Sequence, residues 1–158
     1  MIVYLIRHGQ AENDSDSGLD ADRKLTDLGH RQAQAVAMFL NDPESARPTR
    51  VLASPYTRAQ QTATPIWNAM DHPVQSEERL AAHKSVPDIL EVITTTQVPV
   101  LAIISHNPII SRTADVLSAG PSAPNLYSMR PSQLIALEIN QSNPLGSAKL
   151  LTQFRLGD

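Results

Sequence analysis

The chain has 158 residues, 41% of them apolar and 18% charged, which suits one globular domain with its own core and excludes a fibrous or disordered protein. A formal net charge of −3 leaves no basic field for nucleic acid, and the absence of cysteine excludes disulfides, thiolate chemistry and cysteine-based zinc sites. The first apolar run is too short and wrongly flanked for a signal peptide, and no run approaches the ~20 apolar residues of a membrane span. The expectation is a cytoplasmic monomer with no membrane or nucleic-acid partner.

Ile2-Val3-Tyr4-Leu5-Ile6 reads as a short buried strand that ends in Arg7-His8-Gly9. A cation and an imidazole therefore stand side by side where the chain leaves the sheet. Gly9 is expected to allow a sharp turn and close approach to a ligand. The stretch from Glu12 to Asp22 is acidic and rich in loop formers. Its spacing does not fit a calcium loop, because Leu25 stands where the bidentate Glu belongs. It is expected as a solvated rim loop.

Thr26 is the expected N-cap of a helix whose apolar face carries Ala33, Val36, Ala37 and Leu40, with His30 and Arg31 exposed. Arg50 to Ala53 forms a second strand. Ser54-Pro55 is expected as an N-cap and N1 pair for a helix that buries Ala59, Ala63, Ile66, Trp67 and Met70. Arg58 is placed off that apolar face. Pro65 is expected to kink this helix near Gln61. His72 to Glu78 holds a weak strand, Arg79 to Val86 is loop, and Pro87 starts a short helix with Ile89, Leu90 and Ile93 inward. His72 and His83 are expected at the surface.

Val98 to Ile104 is the most apolar run and reads as a central strand buried on both faces. It leads into Ser105-His106, and Asn107-Pro108 are expected to cap a helix with Ile110, Ala114 and Leu117 inward. Gly120 to Pro131 is loop. Ser132 to Ile139 and Lys149 to Leu156 are two closing strands. Alternating strands and helices predict an α/β fold, with a largely parallel sheet and ligands beyond the carboxyl ends of its strands.

Arg7-His8-Gly9, Leu25-Thr26-Asp27-Leu28-Gly29, Ser54-Pro55-Tyr56-Thr57-Arg58-Ala59-Gln60-Gln61-Thr62 and Ser105-His106-Asn107-Pro108 together resemble the histidine phosphatase superfamily. The resemblance runs from Met1 to about Leu117, and the small size is similar to the short SixA-type phosphohistidine phosphatases. Arg23 matches an arginine of that branch, whereas Lys24 replaces its usual proline. The resemblance implies a single-domain α/β/α sandwich spanning residues 1–158, with no large cap. It implies His8 as nucleophile and Arg7, Arg58 and His106 as catalytic phosphoryl-binding partners. Arg23 is implied as a further phosphate ligand, and neither a metal nor a cofactor is expected. The implied substrate is a phosphorylated protein, a histidine-containing phosphotransfer domain among the candidates, or a small phosphomonoester. A non-catalytic phosphate-binding module is the alternative from another class.

The residue chemistry agrees with those roles. A phosphoryl group carries about two negative charges, and arginine holds it bidentately. A positive charge ~4 Å from His8 at an effective dielectric of ~20 is worth ~4 kcal/mol, enough to favour its neutral form. A bound dianion is expected to reverse this and favour a proton on His106. The general acid stays open: Glu77, Glu78, His83 and Asp88 are the candidates, with none of them as the remaining alternative.

Overall fold

The computed structural model describes residues 1–71, 73 and 75–157. Its strands are β1 (Ile2–Arg7), β2 (Arg50–Ala53), β3 (Val100–Ser105), β4 (Leu134–Glu138) and β5 (Lys149–Phe154). They form one sheet in the order β2-β3-β1-β4-β5. β2, β3 and β1 pair in parallel, while β4 is antiparallel to both β1 and β5. Four strands therefore point one way and β4 alone is reversed. The described part of the segment 72–78 contributes only an isolated parallel bridge from Ser76 to Ala53. His72 and Val74 lie outside the described residues.

Strand periodicity explains the two layers. Val3, Leu5, Leu52, Leu101 and Ile103 point to one face, where they meet α3 (Val86–Thr95) and α4 (Ile109–Ala119) through Ile89, Val92, Ile93, Ile110 and Leu117. Tyr4, Ile6, Val51, Ala102 and Ile104 point to the other, against α1 (Asp27–Leu40) and α2 (Thr57–Met70). Leu90 is only half-buried. Each fully buried Leu, Ile or Val contributes ~1.5–3 kcal/mol over exposure, so the two clusters dominate stability. The chain is a single-domain α/β/α sandwich without a separate cap subdomain.

The helix starts correct two expectations. Thr26 caps α1 as the sequence indicates, accepting a bond from the Gly29 N–H at 3.0 Å. The Ser54-Pro55 pair does not cap α2, which begins at Thr57 after an N-cap at Tyr56. The Ser54 hydroxyl is drawn instead to a histidine from β3's end, described below. Likewise α4 begins at Ile109 after Pro108, and the Asn107 amide donates to the Met129 carbonyl at 2.8 Å. α2 continues through Pro65, because Ala63, Ile66, Trp67 and Met70 anchor it on both sides of the proline.

Candidate active site

Register brings the chemistry to one edge. Arg7 ends β1 opposite Ser105 of β3, and the next residues are tied across the same edge. The His8 N–H donates to the Ser105 carbonyl at 3.1 Å and the Ser54 N–H to the Ile104 carbonyl at 3.0 Å. Because β4 is reversed, the loop before it returns to this edge. There the Met129 carbonyl accepts from Arg7 Nη1 at 3.0 Å, and the Ser132 N–H donates to the His8 carbonyl at 3.0 Å. The long loop after α4 thus closes on the site, a role its sequence does not announce.

His8, Arg58 and His106 are buried together, with the two imidazole centroids 5.1 Å apart. Arg58 is buried rather than set off the apolar face, because its guanidinium lines the site instead of reaching solvent. Its Nε donates to His8 Nε2 at 3.2 Å. His8 Nδ1 lies 2.7 Å from the Gly9 carbonyl, which only accepts, so Nδ1 carries the proton and Nε2 the lone pair. Burial, first, and then the charges of Arg58, Arg7 and Arg23 lower the His8 pKa to about 4, partly opposed by the Gly9 bond. The arginine charges favour the neutral ring as expected, but desolvation leads.

His106 is neutral for similar reasons. Burial, the neighbouring His8 and Arg58 lower its pKa to about 3. Its Nε2 lies 2.7 Å from Ser54 Oγ. Among the described residues that buried hydroxyl contacts only the Tyr56 N–H, at 3.2 Å, and Nε2; Nε2 is the one of the two that can accept, so the hydroxyl proton goes to Nε2 and the His106 proton resides on Nδ1. His106 Nδ1 and Arg7 Nε are buried polar atoms with no hydrogen-bond partner among the described residues. Such atoms are costly unless a ligand satisfies them. Burial, then Arg58, also lowers the Arg7 pKa.

Arg23 reaches the site through a residue that sequence reasoning passed over. Asp20, in a short 3-10 turn at Asp20–Asp22 of the acidic loop, joins Arg23 and Arg58. Its Oδ1 accepts from Arg23 Nη1 at 2.8 Å, its Oδ2 from Arg58 Nη2 at 3.1 Å, and its carbonyl from Arg58 Nη1 at 2.8 Å. The bond from Arg23, followed by that from Arg58, lowers the Asp20 pKa despite some burial. The loop is exposed as expected, but this carboxylate belongs to the site.

The acid candidates separate cleanly. Glu77 is bound by Arg79 through contacts of 2.9 and 2.8 Å that hold its pKa down, and Asp88 is spent on the Ser85 cap of α3. Exposed His83 stands 3.3 Å from the Tyr56 hydroxyl and 3.6 Å from Glu78. The Tyr56 ring in turn packs edge-on against His106 at 5.0 Å. His30 is exposed and outside the site.

The family model for the histidine phosphatase superfamily (branch 1) matches residues 3–83, a span that holds Arg7, His8, Arg23 and Arg58. A phosphohistidine phosphatase SixA homolog of Haemophilus influenzae is 30% identical over 147 residues, covering 85% of this chain and 88% of that protein. Phosphohistidine phosphatase SixA of Escherichia coli is 30% identical over 130 residues, 78% of each chain. The structure of the protein histidine phosphatase SixA complexed with tungstate aligns with a TM-score of 0.82 and 24% identity, over 98% of this chain and 97% of that one. The fold, the family match and these relatives agree: the chain belongs to the histidine phosphatase superfamily, in its SixA-like branch, and is a hydrolase of that class.

Proposed function

We propose that residues 1–158 form one histidine phosphatase domain, a metal-independent protein phosphohistidine phosphatase that works through a phosphorylated His8. One observation carries the reading. The His8 ring is buried and neutral, with Nδ1–H tied to Gly9 and the Nε2 lone pair turned toward a guanidinium. In this mechanism Nε2 attacks phosphorus, the bond to the leaving group breaks, and the phosphoryl group passes to His8. Arg7, Arg58, Arg23 and the Nδ1–H of His106 hold its oxygens, and the guanidinium groups supply the positive charge. The bound dianion offsets the arginines and favours a second proton on His106. Water then attacks the phosphohistidine, which releases inorganic phosphate and restores neutral His8.

Leaving-group chemistry supports phosphohistidine as substrate. An alkoxide needs a positioned acid, whereas the conjugate acid of imidazole has a pKa of ~6.5 and leaves with a proton from solvent. Glu77 and Asp88 are engaged elsewhere, and Asp20 is held ionised between arginines. A site without a cap admits a side chain on a folded partner, such as a histidine-containing phosphotransfer domain. The relatives named phosphohistidine phosphatase favour the same class.

The test is kcat/KM for a phosphohistidine protein against a phosphoserine peptide at one pH. The expected preference for phosphohistidine is at least about 100-fold, the usual worth of a general acid. Equal values, with a large loss in Glu78→Gln or His83→Gln on phosphoserine alone, would make the exposed Glu78–His83 pair the acid and the protein a phosphomonoesterase. Phosphate binding with no turnover of either substrate would leave a binding module.

A further inference from the structure

We propose that Asp20 is a positioning residue that sets the charge of the phosphoryl cradle. Its carboxylate clamps Arg58 and Arg23 while the cradle is empty, and its charge opposes an incoming dianion that shares the two guanidinium groups. The inference rests on reading this site as a phosphoryl cradle.

Hydrogen bonds carry the argument. Arg58 Nε covers the His8 Nε2 lone pair at 3.2 Å, and both terminal nitrogens of the same guanidinium are held by Asp20, one through the carboxylate and one through the backbone carbonyl. Arg23 is fixed between the Asp20 carboxylate at 2.8 Å and the Glu12 carbonyl at 2.7 Å. The Arg58 bonds use three of its five guanidinium N–H groups, so an anion that binds Arg58 shares the guanidinium with Asp20 and meets the carboxylate's charge, and the His8 lone pair is uncovered when Nε turns toward the anion. The side-chain exposures suit that exchange: Arg58 is 6% exposed and confined, whereas Asp20 is 57% exposed and free to turn toward water.

Charge tells the same story. Arg7, Arg23 and Arg58 contribute three positive charges, and both site histidines are neutral. Asp20 cancels one, so the cradle carries two, close to the charge of a phosphoryl dianion. Without Asp20 the cradle is overcharged, and it should hold inorganic phosphate, the product, too tightly.

Isothermal titration with inorganic phosphate tests this. Asp20→Asn, which keeps side-chain shape and the backbone contact, should bind phosphate about tenfold more tightly, the effect of one unit charge a few ångströms away in a partly solvated site. Asp20→Glu should restore affinity toward wild type. Asp20→Asn with Arg23→Gln, which returns the cradle to two positive charges, should also move back toward wild type. A carboxylate that merely pins its loop predicts weaker phosphate binding in Asp20→Asn and weaker still in the double variant. Unchanged or weakened affinity in Asp20→Asn overturns the proposal while leaving the cradle reading intact. Absence of phosphate binding by wild type and His8→Ala alike removes both.

Discussion

Ser54 is fully buried, and its one proton has one destination. Of its two contacts among the described residues, the Tyr56 N–H can only donate, so the hydroxyl donates to His106 Nε2 and decides which nitrogen of that ring carries the proton. Ser54→Ala should lower kcat, by less than the roughly 100- to 1,000-fold that losing a direct oxyanion donor costs, because Ser54 acts through His106. Ser54→Thr, which keeps the hydroxyl, should recover most of it. Nitrogen chemical shifts of His106 check the cause: wild type should show a protonated Nδ1 and a bare Nε2, and Ser54→Ala a mixture of tautomers. An unchanged tautomer with lowered kcat would assign Ser54 to packing alone. At this scale the site was legible where residue type and position coincide. Arg7, His8 and His106 stand at strand ends, and it is their occurrence together with Arg58, rather than any one of them, that marks a candidate site. Asp20 was not legible, since Asp14, Asp16, Asp20 and Asp22 are chemically alike and only the folded chain selects the one that meets Arg58. Burial of Arg58 was hidden too, because helical periodicity ranks a charged residue as solvent-facing unless a cleft receives it.

Elements show where local rules hold and where distant partners override them. Thr26 caps α1 because its partner, the Gly29 N–H, is three residues away, whereas the Ser54 hydroxyl is claimed by His106, 52 residues on. Gly9 is also required by packing. A Cβ there would lie 2.8 Å from the Gly29 carbonyl oxygen, so the His8 loop and the first turn of α1 pack backbone to backbone. The Gly9 N–H also donates to Thr62 Oγ1 of α2 at 3.0 Å, which seats the loop on both helices. Gly29 is the tighter position: an added Cβ would stand 2.1 Å from the Gln10 carbonyl oxygen. Gly29→Ala must therefore push α1 away from the His8 loop, at a cost of about 1–3 kcal/mol as in other overpacked interiors. The measurable results are a lower urea midpoint and a loss of kcat, because Gln10 follows His8 by two residues. Wild-type kcat in Gly29→Ala would show that α1 moves without disturbing His8. The antiparallel return of β4 was not legible either. The pattern of apolar residues locates a strand but does not choose its neighbour or its direction, and here that direction brings Met129 and Ser132 to the site.

At the scale of the whole molecule, two neutral buried histidines make the empty protein sensitive to mild acid. The folded pKa values of about 4 for His8 and about 3 for His106 lie below the ordinary 6.5, so the unfolded chain takes up protons first as pH falls. Stability is unaffected above pH ~6.5 and is lost progressively below it, down to the folded pKa values. For His8 alone the loss at pH 5 is about 2 kcal/mol, since 1.5 pH units at 1.36 kcal/mol each separate pH 5 from 6.5. Asp20, Glu77 and Asp88 have lowered pKa values, each set first by a hydrogen bond from its partner. Their stabilisation is lost only as pH falls below the ordinary carboxylate range. Between pH ~6.5 and ~4.5 the site histidines therefore dominate the slope among these shifted groups. Urea midpoints at pH 7.5 and pH 5 should fall markedly in wild type and much less in a His8→Gln, His106→Gln double variant. Saturating phosphate should raise the wild-type midpoint at both pH values by mass action. A double variant that loses as much stability between the two pH values as wild type would show that acid sensitivity arises elsewhere and that the site histidines are not held neutral at a cost to the fold.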